Sequence, residues 1–206
     1  MQSDKRLNGG DIFPVVFHDG AVEPATNASL AAFLGGNGKE EYELTEEEKT
    51  AKRRQFDKWE PKEIITPMSK AECEAKKETL GIKACNDDVD YWAAAADKCG
   101  GVQNLPTRDD LYELAKKVYP SCNDSTKKCT GSPDFSQFPT LVDAGLGTSS
   151  IVFWSRSESE NAGGNRAYQQ QFTPTYSDVG QSKRTASELT KPSSFRAVCV
   201  GDLEKQ

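Results

Sequence analysis

The chain has 206 residues, of which 35% are hydrophobic, 26 are Lys or Arg and 32 are Asp or Glu, so its net charge is -6. This apolar content can fill one core, and we expect the remaining chain to form a thinly packed N-terminal region. The acidic balance, without any basic stripe, excludes a nucleic-acid-binding protein, because phosphate contacts need clustered Lys and Arg.

The sequence predicts no membrane span, since no run of about 18 apolar residues occurs in it. Residues 1–6 lack the apolar segment that a signal peptide requires. We therefore expect any export signal or anchor to lie outside this sequence.

Capping motifs predict four helices. Thr45 with Glu48, and Ser69 with Glu72, have the Ser/Thr-x-x-Glu spacing in which each side chain accepts a hydrogen bond from the other residue's backbone N–H. Asp90 and Thr107 are short polar residues of the kind that begin helices. The predicted helices cover 46–59, 70–80, 91–98 and a segment that begins at 108, and they stop at Pro61, Gly81, Gly100 and Pro120.

Strand patterns predict a small sheet in the last third of the chain. Residues 122–140 are rich in Ser, Asp, Lys, Gly and Pro, which predicts an irregular loop, and no further helix is expected after it. Strands are predicted over 151–155, 167–172 and 195–200, and the polar segment 173–194 is predicted to be a long loop. The sequence thus predicts an α+β protein in two parts, an extended region 1–65 with one helix and a main domain 66–206.

The six cysteines favour disulfide bonds, because they form no Cys-x-x-Cys pair and the chain has one histidine. Disulfides persist in oxidising compartments, so we expect an extracellular or cell-surface location. Buried, reduced cysteines of a cytosolic protein are the alternative. Six cysteines allow 15 complete pairings and their spacing does not choose among them. Our working hypothesis pairs Cys73 with Cys85, Cys99 with Cys199 and Cys122 with Cys129.

The order of segments from residue 90 to 202 resembles the C-type-lectin-like fold. The segments that carry the resemblance are a helix ending in Cys99-Gly100-Gly101, then Leu105-Pro106-Thr107, Phe153-Trp154-Ser155 and Phe195-Arg196-Ala197-Val198-Cys199. They are most similar to the domains at the C-termini of bacterial and phage surface proteins, in the branch that includes formylglycine-generating enzymes. Residues 68–101 also resemble secreted pilin-like proteins of gut bacteria. The resemblance implies two helices, a small twisted antiparallel sheet and long loops.

Two activities of the resembled families do not carry over. The Glu-Pro-Asn, Gln-Pro-Asp and Trp-Asn-Asp strings of calcium-dependent lectins are missing from this sequence, and the reactive cysteine pair of the formylglycine enzymes belongs to a larger domain. His18 has no Ser or Cys nearby to activate. Residues 86–90 could offer oxygen ligands to calcium but lack the glycine and terminal glutamate of an EF-hand loop. We therefore expect no catalytic residue, metal or cofactor.

A polar stretch with Tyr and Arg, the composition of many recognition surfaces, is the candidate binding site, although an ordinary solvated loop would look the same. Its candidate residues are Arg156, Glu158, Glu160, Asn161, Asn165, Arg166, Tyr168 and Tyr176. The leading hypothesis is a non-enzymatic bacterial surface protein for adhesion, recognition or pilus-like assembly, whose partner is a protein, a glycan or further copies of itself. The alternatives are a formylglycine-enzyme-like oxidoreductase or redox protein that uses Cys122 and Cys129, and a receptor-binding protein with a diversified surface over 156–194.

Overall fold

The computed structural model describes residues 15–18, 21–24, 44–64, 66–159, 165–185 and 195–200. The chain divides into two compact units, residues 1–43 with 205–206 and residues 44–204. In the first unit β1 (Val15–His18) pairs antiparallel with β2 (Ala21–Pro24). His18 is the last residue of β1. The second unit begins at Leu44 and therefore includes the helix that the sequence places in the N-terminal region.

The larger unit is α+β. Its described residues form five α-helices: α1 (Glu46–Arg53), α2 (Lys70–Leu80), α3 (Tyr91–Lys98), α4 (Arg108–Val118) and α5 (Pro139–Asp143). Short 3-10 helices cover Phe56–Lys58 and Val102–Asn104. Its strands are β3 (Glu60–Glu63), β4 (Ser121–Asn123), β5 (Lys128–Thr130), β6 (Ile151–Glu158), β7 (Arg166–Phe172), β8 (Tyr176–Lys183) and β9 (Phe195–Cys199).

These seven strands form one sheet in the order β3-β9-β6-β7-β8-β5-β4. Neighbours pair antiparallel except β6 and β9, which run parallel. The resemblance implied a small sheet, and this expectation is wrong because the sheet has these seven strands. Strand β8 lies within the predicted 173–194 loop, and its polar sequence gave no strand pattern. It forms because its backbone pairs along the whole of β7 and because Ser177 accepts a hydrogen bond from the buried Gln170 side chain.

Predicted helix starts are confirmed at all four positions. Thr45, Ser69 and Thr107 form reciprocal capping boxes, and the Asp90 side chain accepts from the Ala93 N–H. The predicted end of the first helix is wrong, because α1 ends at Arg53 rather than at residue 59. The indole N–H of Trp59 donates to the Arg53 carbonyl at 2.6 Å, which satisfies a C-terminal carbonyl of α1 after the chain has turned.

The segment 122–140 is more regular than predicted. Strands β4 and β5 form a hairpin inside it, and Pro139 begins the short helix α5 where no helix was expected. Proline suits the first turn of a helix because the missing N–H would have no partner there. Leu141 is fully buried, so a tertiary contact stabilises this five-residue helix.

The sheet carries a hydrophobic layer on each side. Successive residues of β6 point to opposite faces, so Ile151 and Phe153 enter one layer while Val152 and Trp154 enter the other. We call the first side the α4 face, where Leu111, Leu114, Ala115, Val118, Phe135, Leu141 and Phe172 are buried. We call the second the α3 face, where Trp92, Ala93, Ala94, Ala95, Ala96, Leu105, Ala167, Phe195 and Ala197 are buried. The C-terminal end of β6 emerges between the two layers.

Candidate functional site

A groove of about 640 Å³ lies along the C-terminal end of β6. This volume is in the range that binds small ligands or a short stretch of chain. Its walls come from three parts of the sequence that are far apart. The groove is lined by Gly81, Lys83, Ala84, Val102, Gln103, Arg156, Ser157, Glu158 and Ser159.

Hydrogen bonds from both sides hold the β6 wall of the groove in place. The Arg156 N–H donates to the Pro106 carbonyl at 2.8 Å, and the Trp92 indole N–H donates to the Ser155 carbonyl at 2.8 Å. The Ser159 N–H donates to the Arg166 carbonyl at 2.9 Å. The pairing register between β6 and β7 shifts between Trp154 and Glu158, so this stretch forms an irregularity in the ladder. Such irregularities change the direction in which the side chains of a strand point.

The opposite wall is formed by the turn after α2 and by the 3-10 helix Val102–Asn104. Gly81 ends α2 with a left-handed φ of 70°, and Cys85 anchors the turn to Cys73 in α2. Gly101 has φ 137°, and a Cβ there would lie 2.3 Å from the Gln103 side chain. Glycine suits position 101 because L side chains rarely adopt a φ of 137°.

Glu158 belongs to a buried ion cluster beneath the groove. The Arg184 guanidinium, whose side chain is fully buried, pairs with the Asp90 carboxylate and, at 3.3 Å, with the Glu158 carboxylate. The same guanidinium lies 4.4 Å from the Trp92 ring centre. Arg184 thus orients Glu158 and joins β8 to the start of α3. Burial of such charges is tolerated because each is paired.

Asp110 forms the centre of a second ion cluster. Here one carboxylate pairs with two arginines, whereas in the first cluster one arginine pairs with two carboxylates. Its carboxylate accepts from the Nε atoms of Arg53 at 3.0 Å and of Arg54 at 2.9 Å, and from the Thr107 N–H. Burial alone would raise the pKa of Asp110, but the hydrogen bonds from Thr107 and Arg54 outweigh it and lower that pKa. One buried carboxylate therefore serves two arginines.

Arg156 lies between this second cluster and the groove. Burial lowers the pKa of its guanidinium, and the nearby Arg53 charge lowers it further, while Asp110 and Glu46 act in the opposite direction. Among the described residues, no hydrogen bond or ion pair of 4.0 Å or less joins the Arg156 guanidinium to a partner. Arg156 is half-buried and is one of the residues that line the groove.

The structure brings together two of the eight predicted binding residues, Arg156 and Glu158. Arg166 donates to the Gln181 carbonyl at 3.4 Å, and the ring of Tyr168 lies beneath the Arg108 guanidinium at 3.8 Å. Asn165 is exposed, and its carbonyl accepts from the Arg184 N–H. Tyr176 is exposed beside Lys128 at the other end of β8. Glu160 and Asn161 lie outside the described residues.

The groove also contains residues that the sequence gave no reason to select. Lys83 and Gln103 come from a turn and a 3-10 helix, and Arg184, which pairs with Glu158 but does not line the groove, comes from a segment that looks like a loop. Arg184 lies 94 positions from Asp90. A partner at that distance leaves no local pattern, so a single sequence could not reveal the pair.

All six cysteines form disulfide bonds, in the pairing of our working hypothesis. Cys73–Cys85 closes the turn behind the groove, and Cys99–Cys199 joins the end of α3 to β9 across 100 positions. Cys122 and Cys129 lie directly opposite each other in the β4–β5 hairpin. The six cysteines are therefore part of the scaffold.

Neither a metal site nor a membrane-crossing helix is found in the part of the chain that the structure describes. No three His, Cys, Asp or Glu side chains come together there in a group that could bind a metal ion. No helix there has the length and apolar character needed to cross a bilayer. In the 86–90 segment, Asp90 caps α3 and Asp87 pairs with Lys70.

Comparison of the chain with models of protein families, with curated protein sequences and with solved structures gave no match.

Proposed function

We propose that this chain is a non-enzymatic extracellular or surface protein whose C-type-lectin-like scaffold serves recognition, adhesion or pilus-like assembly. The groove at the end of β6 is the recognition site in this proposal. The observation that carries it is the set of three disulfide bonds, one of them spanning 100 positions, in a unit that also holds a groove whose β6 wall is fixed by backbone hydrogen bonds.

The order and pairing of the elements support the lectin-like scaffold. A helix ending at Cys99 is followed by Gly100 and Gly101 and by a second helix, and the first strand of the sheet, β3, pairs antiparallel with the last, β9. This pairing brings together the first and the last strand of the larger unit in chain order. The Cys99–Cys199 bond reinforces the same junction, as it would in a domain that displays loops on a rigid frame.

The disulfide content supports the extracellular location. Disulfides are kept in oxidising compartments and are rare in the cytosol. Cys73 and Cys129 are fully buried, so these bonds belong to the packed interior. A scaffold of this kind keeps its shape outside the cell.

The first experiment measures the intact mass after alkylation, with and without prior reduction. We expect the native protein to take up no alkyl group and the reduced protein to take up six. The same preparation is then labelled and tested for saturable binding to bacterial cells and to immobilised glycans, and for concentration-dependent assembly by sedimentation velocity. Free thiols in the native protein, or an absence of both binding and assembly, would contradict the proposal.

A redox protein that uses Cys122 and Cys129 is the second candidate, because these cysteines are cross-strand partners in an edge hairpin. Cys122 is half-buried, whereas Cys129 is fully buried. A thiolate attacking this bond needs access to a sulfur atom, so Cys122 would be the point of attack. Mild reduction that releases these two thiols before the other four, with turnover of a dithiol substrate, would favour the redox function over the recognition function.

A further inference from the structure

The charges around Asp110 do not balance within the described residues. Both oxygens of the Asp110 carboxylate are occupied, one by Arg54 and the other by Arg53 and the Thr107 N–H. The carboxylate of Glu46, whose charge also reaches Arg156, pairs with Lys49 at 3.1 Å. Neither carboxylate lies within 4.0 Å of the Arg156 guanidinium as an ion pair.

An unpaired guanidinium in this position is costly. Arg156 is partly removed from water and lies near the charge of Arg53, and both effects lower its pKa. A guanidinium fork matches the geometry of a carboxylate and can donate two parallel hydrogen bonds to it. An incoming carboxylate would supply the missing partner and offset this cost.

The other charges of the groove direct such a ligand toward Arg156. The Glu158 carboxylate is held by Arg184 at 3.3 Å, and no ion pair joins it to Arg156 among the described residues. Lys83 lines the facing wall, and no ion pair to its ammonium group is found among the described residues. The groove lining therefore contains two cations, Arg156 and Lys83, and one carboxylate, Glu158, which is held in place by its ion pair with Arg184.

We propose that the groove binds an acidic peptide segment of a partner protein, with Arg156 as the anchor for a carboxylate and Lys83 as a second, weaker contact. This inference rests on the recognition function proposed above and names its ligand class. A peptide fits better than a glycan because none of the nine groove residues is aromatic, and sugar rings are commonly bound by stacking on aromatic side chains. Ala84 and Val102 give the wall an apolar part suited to aliphatic side chains.

The test titrates the native, disulfide-bonded protein with an acetylated and amidated hexaglutamate peptide. Binding is measured by fluorescence anisotropy and by backbone amide NMR shifts. We expect shifts at 156–159 and 102–103, and an affinity that falls about tenfold or more in Arg156→Gln, since a charged hydrogen-bond pair is lost. Arg156→Lys keeps the charge but loses the fork, and we expect its affinity to be intermediate.

Arg166→Gln is the matched control, because it removes the same charge from the adjacent strand outside the groove lining. Equal affinities in the Arg156→Gln and Arg166→Gln proteins would overturn the proposal, as would hexaglutamate shifts that avoid the groove or no binding at all. Binding of an oligogalacturonate through Arg156 without binding of hexaglutamate would replace the peptide by an acidic glycan. If surface binding or assembly of the native protein persists while hexaglutamate fails, the ligand class is wrong and the recognition function stands.

Discussion

The α4 face and the α3 face of the sheet bury side chains of different size and are held by different means. On the α4 face, Leu111, Leu114 and Val118 of one helix pack with phenylalanines, including Phe153 and Phe172 whose ring centres are 5.8 Å apart. On the α3 face, the helix contributes four consecutive alanines, Ala93–Ala96, beside Trp92. Large side chains bury more apolar area per helix than alanines do.

The disulfides are also distributed unevenly between the two faces. Cys73–Cys85 and Cys99–Cys199 both join elements of the α3 face, whereas the α4 face has the local Cys122–Cys129 bond. A cross-link stabilises chiefly by restricting the unfolded chain, and it does so more when it closes a longer loop. The α3 face therefore combines small helix side chains with a long-range disulfide. The α4 face combines large side chains with a short-range one.

The largest effect is expected from removing the long-range disulfide. Cys99→Ala with Cys199→Ala should lower the free energy of unfolding by about 4 to 5 kcal/mol, because the bond closes a loop of about 100 residues. Urea unfolding followed by circular dichroism measures this loss. Cys122→Ala with Cys129→Ala is the matched control and should lose about half as much, because its loop is short. Equal losses would show that loop length does not set the contribution of these bonds.

The buried ion clusters give the next comparison. Arg184→Gln leaves Asp90 buried without its cation, and we expect a loss of about 3 to 5 kcal/mol in the free energy of unfolding. Arg54→Gln should cost about 1 kcal/mol, since the Arg54 side chain is half-exposed and Arg53 still pairs with Asp110. Chemical denaturation of both variants at neutral pH checks the order. A smaller loss for Arg184→Gln than for Arg54→Gln would be inconsistent with the roles given to the two clusters.

Core truncation separates the two faces directly. Leu114→Ala on the α4 face should lower the free energy of unfolding by about 3 kcal/mol through lost burial and the cavity left behind. Ala95→Gly on the α3 face should cost about 1 kcal/mol, mainly through backbone freedom in the helix. Both residues are fully buried, so exposure does not explain a difference. Similar losses measured by thermal and urea unfolding would mean that side-chain volume does not distinguish the faces.

The smallest effect concerns pH. Because the folded-state pKa of Asp110 lies below the ordinary value of 3.8, its carboxylate contributes stability that is present above that value. This contribution is lost as the pH falls through the lowered pKa. The stability difference between the native protein and Asp110→Asn should therefore shrink between neutral pH and about pH 2. Urea midpoints across that range test this, and a constant difference would contradict it.

Local features were predictable because their causes are local. The reciprocal bonds of Ser69 and Glu72 and the left-handed cap at Gly81 depend on residues within one turn of a helix. Strand β8 and helix α5 were missed for the opposite reason. Tyr176–Lys183 has a polar sequence that becomes a strand because β7 offers a ladder, and α5 depends on the burial of Leu141.

The candidate site divides in the same way. Arg156 and Glu158 could be selected from the sequence because they lie two positions apart in a polar stretch with Tyr and Arg. Lys83 and Gln103 also line the groove, but they could not be selected from the sequence. The fold brings them there from segments about 55 to 75 positions away. The charge imbalance at Arg156 likewise depends on Arg53 and Arg54, more than 100 positions earlier in the chain.

The sequence by itself determined the α+β class, the helix starts and the presence of paired cysteines, since capping motifs, residue periodicity and cysteine content act over short distances or through composition. The tertiary structure alone decided the seven-strand sheet, the two buried ion clusters and the groove between them. These depend on backbone ladders and on charges that meet only after folding, when low solvent exposure makes each pairing, and the lack of one at Arg156, energetically significant.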